Sequence, residues 1–162
     1  ASCDFLNEIV RKTNNNLDIL ADQITAYSEK NILFTVVDVT ELKTKYTFLL
    51  IKDWILQERI KKTCGSNTVT VLFFYTTEEC DDCLIQGSIL TFLKNSFKEK
   101  LMIFPIDTKI NLSMISVLMK GYNVTKTPTI VTNEILYSDI VSKDQMKKII
   151  CDQLGNVTEC LQ

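Results

Sequence analysis

Cys80-Asp-Asp-Cys83 stands where an apolar, β-branched run gives way to a helical pattern, and no other feature narrows the fold as far. Upstream lies Thr68-Val-Thr-Val-Leu-Phe-Phe-Tyr75, apolar enough to be a central, parallel strand. Residues 76–83 break that run. Downstream, Ile85, Ile89, Leu93 and Phe97 recur at helical spacing. Two cysteines this close have three readings. Zinc takes four ligands, and here a second close pair is missing and histidine is absent, which leaves metal the least supported reading. A structural disulfide satisfies the spacing alone. A redox dithiol satisfies the position as well, because a helix N-terminus stabilises the thiolate used in exchange chemistry.

Other absences close off other chemistries. The 162 residues hold no histidine, four glycines and two prolines. Ser-His-Asp and Cys-His catalysis are therefore excluded, and glycine-rich phosphate loops cannot be written. No organic cofactor is implied. A net charge of −2 with no basic run excludes generic attraction to nucleic acid or anionic lipid. Apolar stretches reach only about five residues, far short of a membrane span. An even count of six cysteines in a small chain points to an oxidising, extracytoplasmic compartment. The start at Ala1-Ser2-Cys3, without methionine or apolar leader, is expected to be a trimmed N-terminus. A membrane anchor outside the given sequence is compatible with that. The triplets at Asn111, Asn123 and Asn156 are formal glycosylation sequons, but an asparagine-rich chain produces such triplets by chance.

The rest of the chain reads as α, βαβαβ, α, ββ, α. Residues 4–28 carry an apolar stripe at helical spacing, and Ile32–Val37 reads as a strand. Asp38 is placed as the cap of a helix running to about Thr63 and ending at Gly65. That helix is apolar on more than one side, so burial is expected against a sheet and against the first helix. Strands follow at 101–106, 129–131 and 135–137, and Asn111 and Ser142 are read as caps of the last two helices. The expected organisation is one domain over 1–162. It comprises a helical extension at 1–30, a core at 31–155 and a tail at 156–162.

Strand, Cys80-x-x-Cys83 and helix, followed by Tyr122-Asn-Val-Thr-Lys-Thr-Pro128-Thr129, resemble the thioredoxin superfamily. The resemblance covers roughly residues 32–154 in element order, and its two motifs are informative jointly, in this order and at this separation. It implies an α/β, three-layer fold with a central mixed sheet, to which this chain adds an N-terminal helix. It implies that Cys80 attacks a substrate disulfide and that Cys83 resolves the mixed disulfide. It also implies a cis Thr127–Pro128 bond beside the cysteines, where Pro128 shapes a groove and the Thr127 backbone binds extended peptide. The implied partners are protein thiols or disulfides, or a redox partner protein. Departures from the family include Glu79 where an aromatic is usual, Asp-Asp between the cysteines, and no acid within Leu72-Phe-Phe74. The reading from a different class is a non-catalytic binding domain in which Cys80–Cys83 is a structural bridge.

The outer cysteines are expected to be structural. If the first two long helices pack antiparallel, their far ends bring Cys3 to Cys64. Cys151 and Cys160 flank Gly155 at the end of the last helix and can pair locally.

Overall fold

Two long helices open the chain, α1 (Cys3–Lys30) and α2 (Val36–Cys64). The computed structural model describes residues 2–30 and 36–162. Contacts divide the chain into two compact units: residues 1–66 with 110–114, and residues 67–109 with 115–162.

In the first unit a disulfide joins Cys3, at the start of α1, to Cys64, at the end of α2. Since the other ends of the two helices are close in sequence, the pair is an antiparallel hairpin. Leu6, Val10 and Ile60 are buried together, with Leu56 and Cys64 packed against them. Buried Thr13 and Thr47 hydroxyls donate to the carbonyls of Ile9 and Lys43, four residues back, so their polarity is met inside their own helices.

The strand expected at 32–37 lies partly outside the described residues. Its last two residues are corrected: Val36 and Val37 are helical, so Asp38 falls inside the first turn of α2 and not at its cap. A short β-branched run carries no period that separates a strand from a helix start, and β-branching disfavours helix by only a few tenths of a kcal/mol.

The second unit holds β1 (Val69–Tyr75), α3 (Asp81–Phe97), β2 (Leu101–Asp107), α4 (Ser113–Gly121), β3 (Thr129–Thr132), β4 (Ile135–Ser138) and α5 (Lys143–Leu154). The sheet order is β2-β1-β3-β4. β1 runs parallel to β2 with Val71 opposite Ile103, and antiparallel to β3 with Phe73 opposite Ile130. β3 and β4 form an antiparallel hairpin. α4 begins at Ser113, so Asn111 lies outside the capping position that sequence gave it.

Alternation along β1 sorts its side chains between two faces. Val69, Val71 and Phe73 join Leu90, Leu93 and Phe97 of α3 and Met146, Ile150 and Leu154 of α5 in one core. Leu72 and Phe74 point the other way and are also buried, which is why the strand reads as continuously apolar. Ser142 and Gln145 close a reciprocal capping box that starts α5. Gly155, at φ 79°, ends it, and the Cys151–Cys160 bridge closes the turn that follows.

Candidate functional site

The chain leaves β1 at Tyr75, whose carbonyl accepts from the Thr108 N–H at 2.9 Å and so keeps the ends of β1 and β2 together. Thr76 is buried, and its hydroxyl accepts from the Glu78 N–H at 3.2 Å, which folds the next residues into a turn. Glu79 follows at φ 48°. This left-handed conformation costs a residue with a side chain roughly 1 kcal/mol. The turn delivers Cys80 to the N-cap of α3. There its Sγ accepts from the Cys83 N–H at 3.2 Å and its carbonyl accepts from the same group at 3.1 Å.

Cys80 and Cys83 are joined by a disulfide. Their environments differ. Cys80 is half-buried, whereas Cys83 retains only 4% of its surface. The outer sulfur is therefore the one that solution reaches, and it is also the one that a backbone N–H addresses. One turn further into α3, Gln86 is fully buried. Its Oε1 accepts from the Val141 N–H at 2.7 Å and its Nε2 donates to the Val141 carbonyl at 3.2 Å. A side-chain amide thus pairs with backbone as a strand would, fixing α3 to the segment that enters α5.

The opposite wall comes from the segment before β3. The Thr127–Pro128 bond is cis and Pro128 is buried. The Thr127 hydroxyl lies 4.0 Å from Cys80 Sγ, across 47 residues of sequence. A parallel β1–α3–β2 unit, an antiparallel β3–β4 hairpin, a bridge at the α3 N-terminus and a cis proline beside it form one recognisable arrangement. The fold is thioredoxin-like. No protein-family profile and no curated protein matches the sequence. Among solved structures the chain is similar to chloroplastic thioredoxin z, at 17% identity over 62% of this chain and 89% of that one, with a TM-score of 0.49. It is also similar to a structure described as a malarial protein, at 24% identity over 54% of this chain and 99% of that one, with a TM-score of 0.44.

Two surfaces border the Cys80–Cys83 bridge. One is an open cleft of about 740 Å³ whose lining includes Thr76, Glu78, Glu79, Lys109, Lys126 and Thr127. The turns after β2 and before Pro128 bring Lys109 and Lys126 into the cleft lining. Lys126 is paired with Asp139 at 2.8 Å, and Lys109 is exposed. The acidic side chains Glu78, Glu79, Asp81 and Asp82 are all exposed around the bridge. The other surface is an apolar depression beside Cys83, formed by Phe73, Tyr75, Leu84, Gly87 and Phe92. A Cβ at Gly87 would stand 3.7 Å from the Phe73 ring, an ordinary contact.

Of the residues singled out in the sequence, Cys80, Cys83, Thr127 and Pro128 come together here. Cys3 and Cys64 bridge each other in the first unit, and Cys151 and Cys160 bridge each other after α5. Gln86, Lys109 and Lys126 were not foreseen. Gln86 had one signal, a polar residue on the core-facing stripe of α3 between Cys83 and Leu90. Among the described residues, no group of three or more His, Cys, Asp or Glu side chains stands together as a metal site. Nor is any described helix long and apolar enough to cross a membrane.

Proposed function

We propose that this chain exchanges disulfides with protein substrates, with Cys80 as the attacking sulfur and Cys83 as the resolving one. The supporting observation is the asymmetry of the pair: a half-buried Cys80 at the helix N-cap above a buried Cys83. In the dithiol form, the Cys80 thiolate attacks one sulfur of a substrate disulfide and expels the other as a thiolate. The Cys83 thiolate then attacks Cys80 Sγ, releases the second substrate sulfur and forms the bridge seen here. Two electrons pass to the substrate, and a dithiol partner must return them. The cleft beside Thr127 and Pro128 is where an extended substrate segment lies in this reading. All six cysteines are bridged, a state typical of proteins outside the reducing cytosol, and we place the exchange there. A structural bridge in a binding domain is the second reading. It is favoured by the four carboxylates that oppose a thiolate at Cys80.

Turnover separates the two. The chain is expected to accelerate insulin reduction by dithiothreitol, and Cys80→Ser to abolish the acceleration. Cys83→Ser is expected to trap a mixed disulfide through Cys80. A rate equal to the dithiothreitol background would leave the structural bridge as the function.

Charge sets the poise of the pair. The α3 N-terminus favours a Cys80 thiolate by roughly 0.3–1 kcal/mol. Each carboxylate at ~7 Å in water opposes it by about 0.6 kcal/mol, and physiological salt halves that. Four such contributions total roughly 1 kcal/mol and cancel the helix. Neutralising Glu78, Glu79, Asp81 and Asp82 together as Gln and Asn is expected to lower the Cys80 thiol pKa in the reduced protein by about 0.7. Thiolate absorbance against pH reads this directly. A redox titration of the unmodified chain is expected to give a potential well below the −120 mV or so of a strong disulfide donor.

A further inference from the structure

The outward side of α2 carries Lys45, Phe48, Lys52, Ile55, Arg59 and Lys62, spaced three or four residues apart and all exposed. Those intervals return each side chain to one face of the helix, so a single stripe of about 25 Å interleaves four cations with two apolar groups. The sequence hides it, because no two of these residues are adjacent. Lys45 is paired with Glu41 at 3.6 Å, and Lys52, Arg59 and Lys62 form no ion pair among the described residues. Beside Phe48 the hairpin opens an apolar hollow of about 410 Å³, lined by Leu20, Thr44, Lys45, Phe48, Leu49 and Leu112.

We propose that this stripe docks an acidic amphipathic helix of a partner protein. One apolar side chain of the partner fills the hollow, and its carboxylates meet Lys52, Arg59 and Lys62. Charge selects an acidic occupant. The seven-residue spacing of Phe48 and Ile55 matches the apolar repeat of a second helix. Shape favours a helix over a lipid surface. The hollow is concave, and Phe48 and Ile55 are 46% and 49% exposed, so neither projects as an inserting wedge.

The test uses the full chain and a fluorescein-labelled synthetic helix with leucines at i, i+4, i+7 and i+11 and glutamates between them, followed by anisotropy. The unmodified chain is expected to bind, and more weakly as salt rises from about 50 to 300 mM. Lys52→Glu with Arg59→Glu is expected to weaken binding at least tenfold, since each cation near an anionic partner contributes about fivefold. Phe48→Ala is expected to weaken it several-fold, while Lys120→Glu, on α4, stays within about twofold. Lys52→Gln with Arg59→Gln repeats the test without added repulsion should the reversed pair fold poorly. Cys80→Ser is expected to bind like the unmodified chain, so a failure here leaves the exchange reading intact. No binding, unchanged affinity in both double variants, or capture by phosphatidylserine-containing vesicles in preference to the peptide would overturn the proposal.

Discussion

Replacing Cys3 and Cys64 together by alanine is expected to lower stability by about 4 kcal/mol, read as a shift of the denaturant midpoint in far-ultraviolet circular dichroism. The bridge spans 61 residues of sequence. In the chain-entropy account, closing so long a loop removes far more freedom from the unfolded state than a short staple does. The Cys151–Cys160 bridge spans 9 residues and is expected to contribute only about 2.5 kcal/mol when removed in the same way. The difference has a local consequence. Cys64 packs against Leu6, Val10 and Ile60 at the closed end of the hairpin, so its loss loosens the seam where α1 begins and α2 ends. Hydrogen exchange is expected to rise first in residues 3–10 and 57–64. A loss below about 1 kcal/mol for the long bridge, or one no larger than for the short bridge, would contradict this.

Much of the thioredoxin-like unit was legible because its sequence signals are chemically specific. Val71-Leu-Phe-Phe-Tyr75 is too continuously apolar for a one-sided strand, and both of its faces are indeed buried. The Ser142/Gln145 capping box and the Gly155 stop bound α5 as read. Cys80 and Pro128 could be brought together only through the family resemblance, since no periodicity links residues 47 or 48 apart. What stayed hidden depends on three-dimensional placement. Lys109 and Lys126 look like ordinary surface lysines until two turns carry them to one cleft. Gln86 is one amide in a helix until Val141 pairs with both of its ends. Val36 and Val37 start a helix where a strand is expected, because β-branched apolar residues suit a strand and a helix start alike. The α2 stripe is invisible as a run of charge, because a helix assembles charge at intervals of three and four residues.

Asp53→Asn is expected to stabilise the chain at pH 7.5 by up to about 3 kcal/mol and to flatten its stability between about pH 4 and pH 6. Asp53 lies mid-way along α2 with only 4% of its surface exposed. Its hydrogen-bond partner is Gln57, one turn on, at a long 3.4 Å. Burial pushes its carboxyl up from an ordinary 3.8 to about 6, against the weaker opposing pull of Gln57. The folded chain therefore holds this proton more tightly than the unfolded chain does. Below about pH 4 both states are protonated and the residue exerts no penalty. Between about pH 4 and pH 6 the unfolded chain ionises Asp53 while burial keeps the folded chain's carboxyl protonated, and stability falls; above about 6 both states are ionised and the loss is complete. The rise to about 6 corresponds to about 3 kcal/mol at 1.36 kcal/mol per pH unit, fully expressed above pH 7. Asparagine keeps the shape and a hydrogen bond to Gln57 while removing the charge. Denaturant midpoints of both proteins at pH 3.5 and pH 7.5 test this: they should nearly coincide at pH 3.5, where both states hold the proton, and separate at pH 7.5. Parallel shifts with pH in the two proteins would mean that Asp53 reaches solvent, or a cation, when it ionises.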